Sequence, residues 1–321
     1  MWFWLSLITL LCWSGSDLFS KIGCRDADDK LSHLKMVIAV GTVMGLHAAF
    51  EIFVSGTPIS WSVIWTYLPV SLLYIGSMAL GYLGLRYIEL SVSSPICNSS
   101  GALVAVLTLL FVGGDDYSPL ALCAILLVCA GAIGLGVVDA TEDPELRAER
   151  QKDGNYKYAK SFLALALPVA YCLLDAAGTF ADNRVLETLT DRFYQGGVSA
   201  SLKDCADLAA ASANCAYELT FLAAAVVCFV YVVLIRKDKL IPRLEGPKYL
   251  GAICETAGQF AYIYAIADTQ HLAMSAPIIS SYCAASVLWS RLFLKEKLSW
   301  KHYAMIGLIV IGIALMGMLD L

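Results

Sequence analysis

Ten long apolar segments constrain this chain more than any other feature of its sequence. They lie at residues 2–21, 35–54, 63–85, 92–112, 118–138, 161–182, 217–235, 248–267, 272–293 and 302–319. Each is long enough to cross the ~30 Å hydrocarbon core of a bilayer as an α-helix. A spanning backbone must satisfy its own polar groups, and a helix does so within one segment. The sequence therefore predicts an all-α polytopic membrane protein with ten transmembrane helices.

The positive charges orient these helices. We number the segments one to ten and give each loop the number of the segment before it. All but three of the 22 Lys and Arg residues lie in or beside odd-numbered loops, and the exceptions are Arg184, Arg192 and Lys203. Cytoplasmic loops are enriched in Lys and Arg. We therefore expect the odd-numbered loops to be cytoplasmic and both termini external, in the plasma or inner membrane of the cell.

Composition narrows the class of protein further. The chain is 59% hydrophobic and only 15% charged, unlike a soluble domain. The pieces between the segments are short, so we expect no separate catalytic domain. We find no metal-spaced His/Cys set and no nucleophile–base motif, which disfavours a membrane-embedded enzyme. We predict no cofactor, metal or nucleic-acid partner. The expected partners are a small-molecule substrate and membrane lipid, with the protein a monomer or homodimer.

Two of the 11 cysteines differ in context from the rest. Cys205 and Cys215 lie in the longest predicted external loop, residues 183–216. On an oxidising face, a disulfide between them would close a short ring and stabilise the loop. We predict this disulfide, with two free thiols as the alternative. The remaining cysteines are interpreted as small packing residues.

The second half of the chain repeats the first at an offset of 182 positions. Ser93 then aligns with Ser275, Pro95 with Pro277 and Phe111 with Phe293. Five helices per repeat is an odd number, so the two copies must enter the membrane from opposite sides. Loop charges agree, because residues 113–116 read Gly-Gly-Asp-Asp whereas residues 295–297 read Lys-Glu-Lys. We predict two inverted five-helix repeats, residues 1–140 and 161–321, joined by a cytoplasmic linker at 141–160.

The second repeat also resembles a known family. The run from Tyr264 to Gly317, with Ala276-Pro277 and the stretch Leu-Phe-Leu-Lys-Glu-Lys-Leu-Ser at 292–299, is similar to the second half of EamA-type members of the drug/metabolite transporter superfamily. Trp13 and Lys21 are spaced as in that family's first helix. The resemblance covers nearly the whole chain and implies two five-helix halves around a central cavity with alternating access. Two departures are the long 183–216 loop and the acid at Asp17.

Ionisable residues at membrane depth are functional candidates, because a charge at the bilayer centre costs at least ~2.5–3.5 kcal/mol. Asp17, Asp175 and Glu255 lie deep in their segments, whereas Glu51 and Glu218 are shallower on the external side. No Lys or Arg lies comparably deep. The predicted interior is therefore acidic and suits a cation, a proton, or an exchange of the two.

Helical spacing places aromatic rings near these acids. Trp13 shares a face of segment one with Asp17, and equivalent faces recur in segments six and eight. A carboxylate beside an aromatic ring suits an ammonium group. The alternative is that the rings pack helices and hydroxyls satisfy the acids. Polar residues that follow the prolines of segments four and nine are further candidates for substrate binding. The alternative is that they only allow the helices to pack closely. The predicted substrate-binding residues are Trp13, Asp17, Asn98, Tyr171, Asp175, Glu255, Gln259, Tyr262 and Tyr282.

Some of these acids are also candidates for proton coupling. Desolvation disfavours the charged form of a carboxyl group, so a buried acid can exchange a proton near neutral pH. We select Asp175, Glu255 and Glu51 for this role. His47 and Glu51 are one helical turn apart, and we favour a hydrogen-bonded structural pair there over a metal or proton site.

The sequence thus predicts a secondary active transporter for a small amine metabolite. A cationic or zwitterionic substrate is expected, with a quaternary-ammonium-like group favoured, and with proton coupling. The alternative within the same family is an exporter of neutral or aromatic amino acids or related metabolites, in which the acids only couple protons.

Overall fold

A computed structural model describes residues 1–26, 29–88, 90–111, 118–141, 162–295 and 298–319. Its regular structure over these ranges is helical, which confirms the predicted all-α class. We label the α-helices α1 (Trp2–Cys24), α2 (Ser32–Phe50), α3 (Trp61–Tyr87), α4 (Leu90–Asn98), α5 (Ser100–Phe111), α6 (Pro119–Ala140), α7 (Phe162–Gln195), α8 (Leu202–Phe229), α9 (Pro242–Ile266), α10 (Leu272–Ser280), α11 (Tyr282–Trp289) and α12 (Trp300–Leu319). Three helices continue into a π-helical turn, namely α2 at Glu51–Ser55, α8 at Val230–Ile235 and α11 at Ser290–Leu294.

Seven spans in the described ranges are long and apolar enough to cross a membrane. They are Trp2–Cys24, Ser32–Ser55, Trp61–Tyr87, Leu90–Phe111, Pro119–Val138, Leu202–Ile235 and Leu272–Leu294. The apolar part of α12, Trp300–Met316, is slightly shorter. Helices α7 and α9 are long, but polar and charged side chains interrupt their apolar character. The chain is an all-α polytopic membrane protein, as predicted.

Segments four and nine are each interrupted by a serine. Ser99 separates α4 from α5, and Ser281 separates α10 from α11. Each serine hydroxyl donates to a backbone carbonyl of the preceding turn, Ser99 to Pro95 at 3.0 Å and Ser281 to Ile278 at 2.5 Å. Serine side chains that bond to nearby carbonyls compete with helical hydrogen bonds, and a proline four residues earlier has already removed one amide donor. Both breaks therefore have a local chemical cause.

Helix pairing follows a regular scheme. The most extensive contacts join α1 to α9, α3 to α7, α2 to α8 and α6 to α12. The predicted repeat matches each of segments one to five with the segment five places later. Under that match, the α1–α9 pair corresponds to the α3–α7 pair, and the α2–α8 and α6–α12 pairs each correspond to themselves. The two serine breaks are also 182 residues apart. An inverted repeat would produce both features. The 5+5 repeat and its two-part division remain predictions, and the linker at 141–160 lies outside the described residues except for residue 141.

The predicted external loop at 183–216 is wrong, because most of it is helical. Helix α7 continues to Gln195 and α8 begins at Leu202, so only residues 196–201 separate them. Polar side chains in this stretch concealed an apolar face. Leu186 and Leu189 of α7 are buried in the same core cluster as Ala209 and Ala213 of α8. Packing of this face stabilises helices that hydropathy alone does not reveal.

The predicted disulfide is contradicted for the same reason. Cys205 and Cys215 both lie in α8, and both are free and buried. Ten residues of helix at ~1.5 Å each separate them by about 15 Å along the axis. A disulfide needs Cα atoms about 4.4–6.8 Å apart. The alternative of two free thiols therefore agrees with the structure.

A buried ionic cluster joins the α1–α2 connection to α9 at the end of the bundle that is predicted to be cytoplasmic. Asp29 lies between Lys35 (Nζ to Oδ1, 3.0 Å) and Lys248 (Nζ to Oδ2, 3.5 Å). Lys248 also pairs with Glu245 at 3.1 Å. These four side chains are at most 7% exposed. The pairing offsets the cost of burying charge so close to the helix ends.

Candidate functional site

A central cavity lies inside the helical bundle, beside the two interrupted segments. Side chains from α1, α3, α4, α7, α8, α9, α10 and α11 line it. The empty space among them measures about 890 Å³, which includes space open to solvent and so sets an upper limit on an occupant. About 70 Å³ of this space can be reached by the centre of a water-sized sphere, so the cavity is narrow in this conformation.

The cavity brings together every predicted substrate-binding residue. These residues come from five different helices, whereas the sequence related them only within single helices. The nine that line the cavity are Trp13, Asp17, Asn98, Tyr171, Asp175, Glu255, Gln259, Tyr262 and Tyr282.

Asp17 bridges two helices at the wall of the cavity. Its Oδ2 accepts a hydrogen bond from the Ser94 hydroxyl of α4 at 2.5 Å. The same atom accepts one from the Ser286 hydroxyl of α11 at 2.8 Å. Both donors are neutral, so the charge of an ionised Asp17 is held in place but not neutralised by them.

The other two cavity acids have neutral partners as well. Asp175 Oδ2 accepts from the Ser100 hydroxyl at 2.7 Å, at the start of α5. Glu255 has the Ser16 hydroxyl as its side-chain partner. No Lys, Arg or His occurs among the described residues that line the cavity. Three carboxyl groups therefore face one space that has no basic side chain in its lining.

Aromatic rings form one side of this space. The ring of Trp13 is 5.0 Å from that of Tyr262 and 5.8 Å from that of Tyr282, measured between centroids. Trp13 Nε1 donates to the backbone oxygen of Glu255 at 3.3 Å, which fixes the indole against α9. The close approach depends on Gly258, because a Cβ there would lie 2.4 Å from the indole. Rings and carboxylates thus meet on the α1–α9 interface.

Several polar atoms of the cavity are buried without a partner. Ser20 Oγ, Tyr82 OH and Gln259 Nε2 form no hydrogen bond to any described residue. All three side chains line the cavity, and each residue is at most 6% exposed. A buried polar group that lacks a partner is costly. These atoms are therefore available to a bound molecule, and the amide and hydroxyl groups can donate to it.

Glu51 does not belong to the cavity. Its carboxylate accepts from Thr57 at 3.0 Å and from Ser55 at 3.3 Å, just beyond the end of α2. The predicted hydrogen-bonded pair of His47 with Glu51 is also wrong. His47 Nδ1 instead contacts both carboxylate oxygens of Glu218 on α8, at 2.9 and 3.0 Å. The described residues contain no group of three or more His, Cys, Asp or Glu that could hold a metal ion.

Sequence reasoning missed a fourth buried acid, Asp182. It lies on α7 with Asp175 and Thr179, at a spacing of seven and three residues, and so shares their helical face. Its side chain is 0% exposed, and two tyrosine hydroxyls of α3 donate to it, Tyr67 at 2.6 Å and Tyr74 at 3.2 Å. Helical spacing was the signal that could have found it.

Comparisons with known proteins agree with this architecture. Residues 210–318 match the sequence model of the EamA-like transporter family. No curated protein matches the sequence. A solved structure, titled only as the crystal structure of a protein, aligns with 98% of this chain and 96% of its own, at a TM-score of 0.61 and 13% identity. Similarity at that identity shows the fold alone.

Fold and cavity together define a helical, polytopic membrane protein with an acidic internal site. The predicted resemblance is confirmed over residues 210–318, which match the sequence model of the EamA-like transporter family.

Proposed function

We propose that this protein is a secondary active transporter for a small amine metabolite, cationic or zwitterionic, with a quaternary-ammonium-like group favoured. One observation carries the proposal. Three carboxyl groups and seven aromatic rings line a single internal cavity whose described lining has no basic side chain. The match to the EamA-like transporter family supports transport of small molecules.

The cavity chemistry fits an ammonium group. An ammonium that leaves water needs opposite charge and polarisable surface to offset its desolvation. Asp17 and Glu255 supply the charge. Trp13 and Tyr262 line the same cavity and supply π faces, which attract a cation that lies within ~6 Å of a ring centroid. For a zwitterion, the buried donors of Gln259 and Tyr82 are suited to its anionic end.

Alternating access has two supporting features. The cavity lies next to the breaks at Ser99 and Ser281, and discontinuous helices are typical of substrate sites in transporters. The predicted repeat also relates the α1–α9 pair to the α3–α7 pair. Each half of the protein could therefore adopt the packing that the other half has now. We propose that the cavity opens in turn to each side of the membrane.

Proton coupling would use acids that face the substrate. We propose that Asp175 and Glu255 release a proton when a cation binds and rebind it after release. Their partners are neutral hydroxyls, which accommodate either charge state of a carboxyl group. Glu51 lies outside the cavity, and a coupling role for it has less support.

A second candidate is an exporter of neutral or aromatic amino acids or related metabolites. It is favoured by the hydroxyl contacts of the acids, above all the two serines on Asp17, because an acid with such partners can serve the structure and the proton alone. In this case the substrate would contact the aromatic rings and the unpaired donors.

Choline and 3,3-dimethylbutan-1-ol separate the two candidates, because they share a shape and differ in charge. We expect the purified protein to bind choline more tightly than the neutral isostere, measured by calorimetry. Glu255→Gln should weaken choline binding, whereas Glu51→Gln, an equivalent change outside the cavity, should leave it unaltered. Equal affinity for the two ligands, with no effect of Glu255→Gln, would favour the neutral-substrate exporter.

A further inference from the structure

A hydrogen-bonded chain of hydroxyls connects Asp182 to the central cavity. The Tyr74 hydroxyl contacts Asp182 Oδ2 at 3.2 Å, Thr179 Oγ1 at 3.2 Å and the Tyr262 hydroxyl at 2.5 Å. Tyr262 also donates to Thr179 at 3.2 Å. Tyr74, Thr179 and Tyr262 line the cavity, whereas Asp182 does not. Asp182 is therefore one layer of hydroxyls behind the cavity wall.

The groups around Asp182 are neutral at physiological pH. The titratable side chains that face it are Tyr67 and Tyr74 from α3 and Tyr262 from α9, while Tyr217 of α8 packs on the Tyr74 ring at 5.9 Å. Helix α5, which also packs against α7, has no titratable residue. Arg184, two positions along α7, pairs with Glu187 instead. Among the described residues, no basic side chain forms an ion pair with Asp182.

An isolated carboxylate in this position carries a large desolvation cost, which binding of a proton removes. The surrounding hydroxyls stabilise both states, because each hydroxyl can donate or accept. With Asp182 ionised, Tyr74 uses its single proton on the carboxylate. The Tyr262 hydroxyl must then donate to Tyr74 or Thr179, so it offers the cavity only acceptor lone pairs.

Protonation of Asp182 reverses this direction. The carboxylic acid then donates to Tyr74, and Tyr74 donates to Tyr262. The Tyr262 proton is released from the Tyr74 contact and becomes available to Thr179 or to the cavity. The only covalent bond formed is the O–H bond of Asp182, whose proton comes from hydronium in water.

From this geometry we propose that Asp182 is an occluded proton-binding site, and that its charge state sets whether Tyr262 acts as donor or acceptor toward a molecule in the cavity. The site is distinct from the cavity acids, and only its effect on the substrate rests on the proposed transport function. A metal ion is a poorer occupant than a proton. The oxygens of this cluster already lie at direct hydrogen-bonding distances of 2.5–3.2 Å, which leaves no space for an ion between them.

Infrared difference spectroscopy tests the site on the purified protein without any substrate. A pH step should reveal a carboxyl C=O band that appears as the acid is protonated. We expect Asp182→Asn to abolish one such band and Asp175→Asn to leave that band in place. A titration unaffected by Asp182→Asn would overturn the proposal. Loss of the band when sodium chloride is added at constant pH would also overturn it, since a cation would then occupy the site.

Tyrosine variants test the chain itself in the same measurement. Tyr262→Phe does not touch Asp182 directly, yet it should shift the Asp182 band because it changes what Tyr74 donates to. Ser100→Ala, which removes the partner of Asp175, is the matched control and should not shift it. Should Asp182→Asn fail to fold, a shift of a titrating carboxyl band in both Tyr74→Phe and Tyr67→Phe identifies the band, and no shift in either overturns the proposal.

Choline binding then tests the effect on the cavity. Across the pH range in which the Asp182 band titrates, we expect choline affinity to change several-fold in the parent, and we expect Tyr74→Phe to lose the part of that change that follows the Asp182 band. Tyr67→Phe should retain the dependence, because Tyr67 contacts Asp182 but does not line the cavity. Absence of choline binding would remove the proposed substrate class and leave the infrared result to decide on the proton site.

Discussion

Asp17 connects two helices and is also one of the residues proposed to bind the substrate. Its Oδ2 accepts from Ser94 at 2.5 Å and from Ser286 at 2.8 Å, so one carboxylate holds two helices that flank the cavity. Neutral donors orient the acid and leave its charge available to a cation.

We therefore expect Asp17→Asn to weaken choline binding by about 1–3 kcal/mol, or 5- to 150-fold, the range for a hydrogen bond to a charged group in a partly desolvated site. The amide is nearly isosteric, and its oxygen still accepts from the serines, so the protein should fold and enter the membrane normally. Calorimetry gives the affinity, and size-exclusion chromatography checks the fold. Unchanged affinity in a well-folded variant would rule out the acidic–aromatic cage and favour the neutral-substrate exporter.

Helical spacing located residues that line the cavity, whereas their roles in substrate binding stay predictions. All nine predicted binding residues line the cavity, because each was chosen from a face shared with an acid or near a proline break. Asp182 was missed because it is the last residue of segment six in the hydropathy pattern, and the polar residues after it are typical of a loop. The partner of His47 is Glu218 on another helix. This contact depends on how the helices pack together, so the spacing of residues within α2 could not predict it.

At the scale of helices, close packing of α2 against α8 depends on Gly41. A Cβ at this position would lie 2.5 Å from the backbone oxygen of Phe221 and 2.5 Å from Ala225 Cβ. A backbone atom in a helix cannot move aside as a flexible side chain can. Gly41→Ala should therefore lower the stability of the protein by about 1–3 kcal/mol, as overpacking does.

Gly307 of α12 is the matched control for this substitution. A Cβ there meets nothing within 4 Å, so Gly307→Ala should be neutral or stabilise the helix by up to ~1 kcal/mol. Thermal unfolding of both variants in the same detergent measures the difference. Equal melting temperatures for the two would show that the α2–α8 contact is less tight than these distances indicate.

The ionic cluster that joins the α1–α2 connection to α9 gives another test at this scale. Lys248 is 1% exposed and pairs with Asp29 and Glu245. Lys248→Ala would leave two buried carboxylates with less compensation. Breaking a buried pair in this way destabilises proteins by about 3–5 kcal/mol, and we expect a correspondingly large fall in melting temperature.

Lys301 serves as the control for that change, because it is exposed at the start of α12. Lys301→Ala should alter stability by no more than about 0.5 kcal/mol, as is usual for surface positions. If Lys248→Ala were as mild as Lys301→Ala, the cluster would contribute nothing to holding α9 in place.

Helix positions were predictable from hydropathy wherever a helix faces lipid, and less so where it faces protein. The ends of α1 and α6 agree closely with the predicted segments. The end of α7 and the start of α8 do not, because their apolar faces pack on each other and their other faces are polar. The length of an apolar segment indicates a helix that contacts lipid. It says little about a helix that buries only one side against protein.

On the scale of the whole molecule, helix pairing and the two serine breaks follow the pattern that the predicted repeat would produce, and the repeat itself stays a prediction. The pairs α1–α9 and α3–α7 interchange under the predicted repeat. The acids do not follow it in detail, because Asp17 has two serine partners and Asp175 has one. A substrate that is itself asymmetric would contact the two halves differently, and this asymmetry was beyond what the aligned residues could indicate.

Topology is the remaining prediction at this scale. Both termini and the α7–α8 turn are expected outside the cell, and the connection between α8 and α9 inside, because nearly all Lys and Arg residues lie in or beside odd-numbered loops. Cys205 and Cys215 cannot report on this, since both are buried in α8.

Ala200 in the α7–α8 turn and Lys239 in the α8–α9 connection are exposed and suit cysteine substitution. A membrane-impermeant thiol reagent applied to intact cells should label Ala200→Cys above the level of the parent protein, whose native Cys123 is exposed. Lys239→Cys should gain label only after the cells are permeabilised. The reverse pattern would show that the charges have been assigned to the wrong side, and the cavity acids would then have to be reassigned between the inner and outer halves of the pathway.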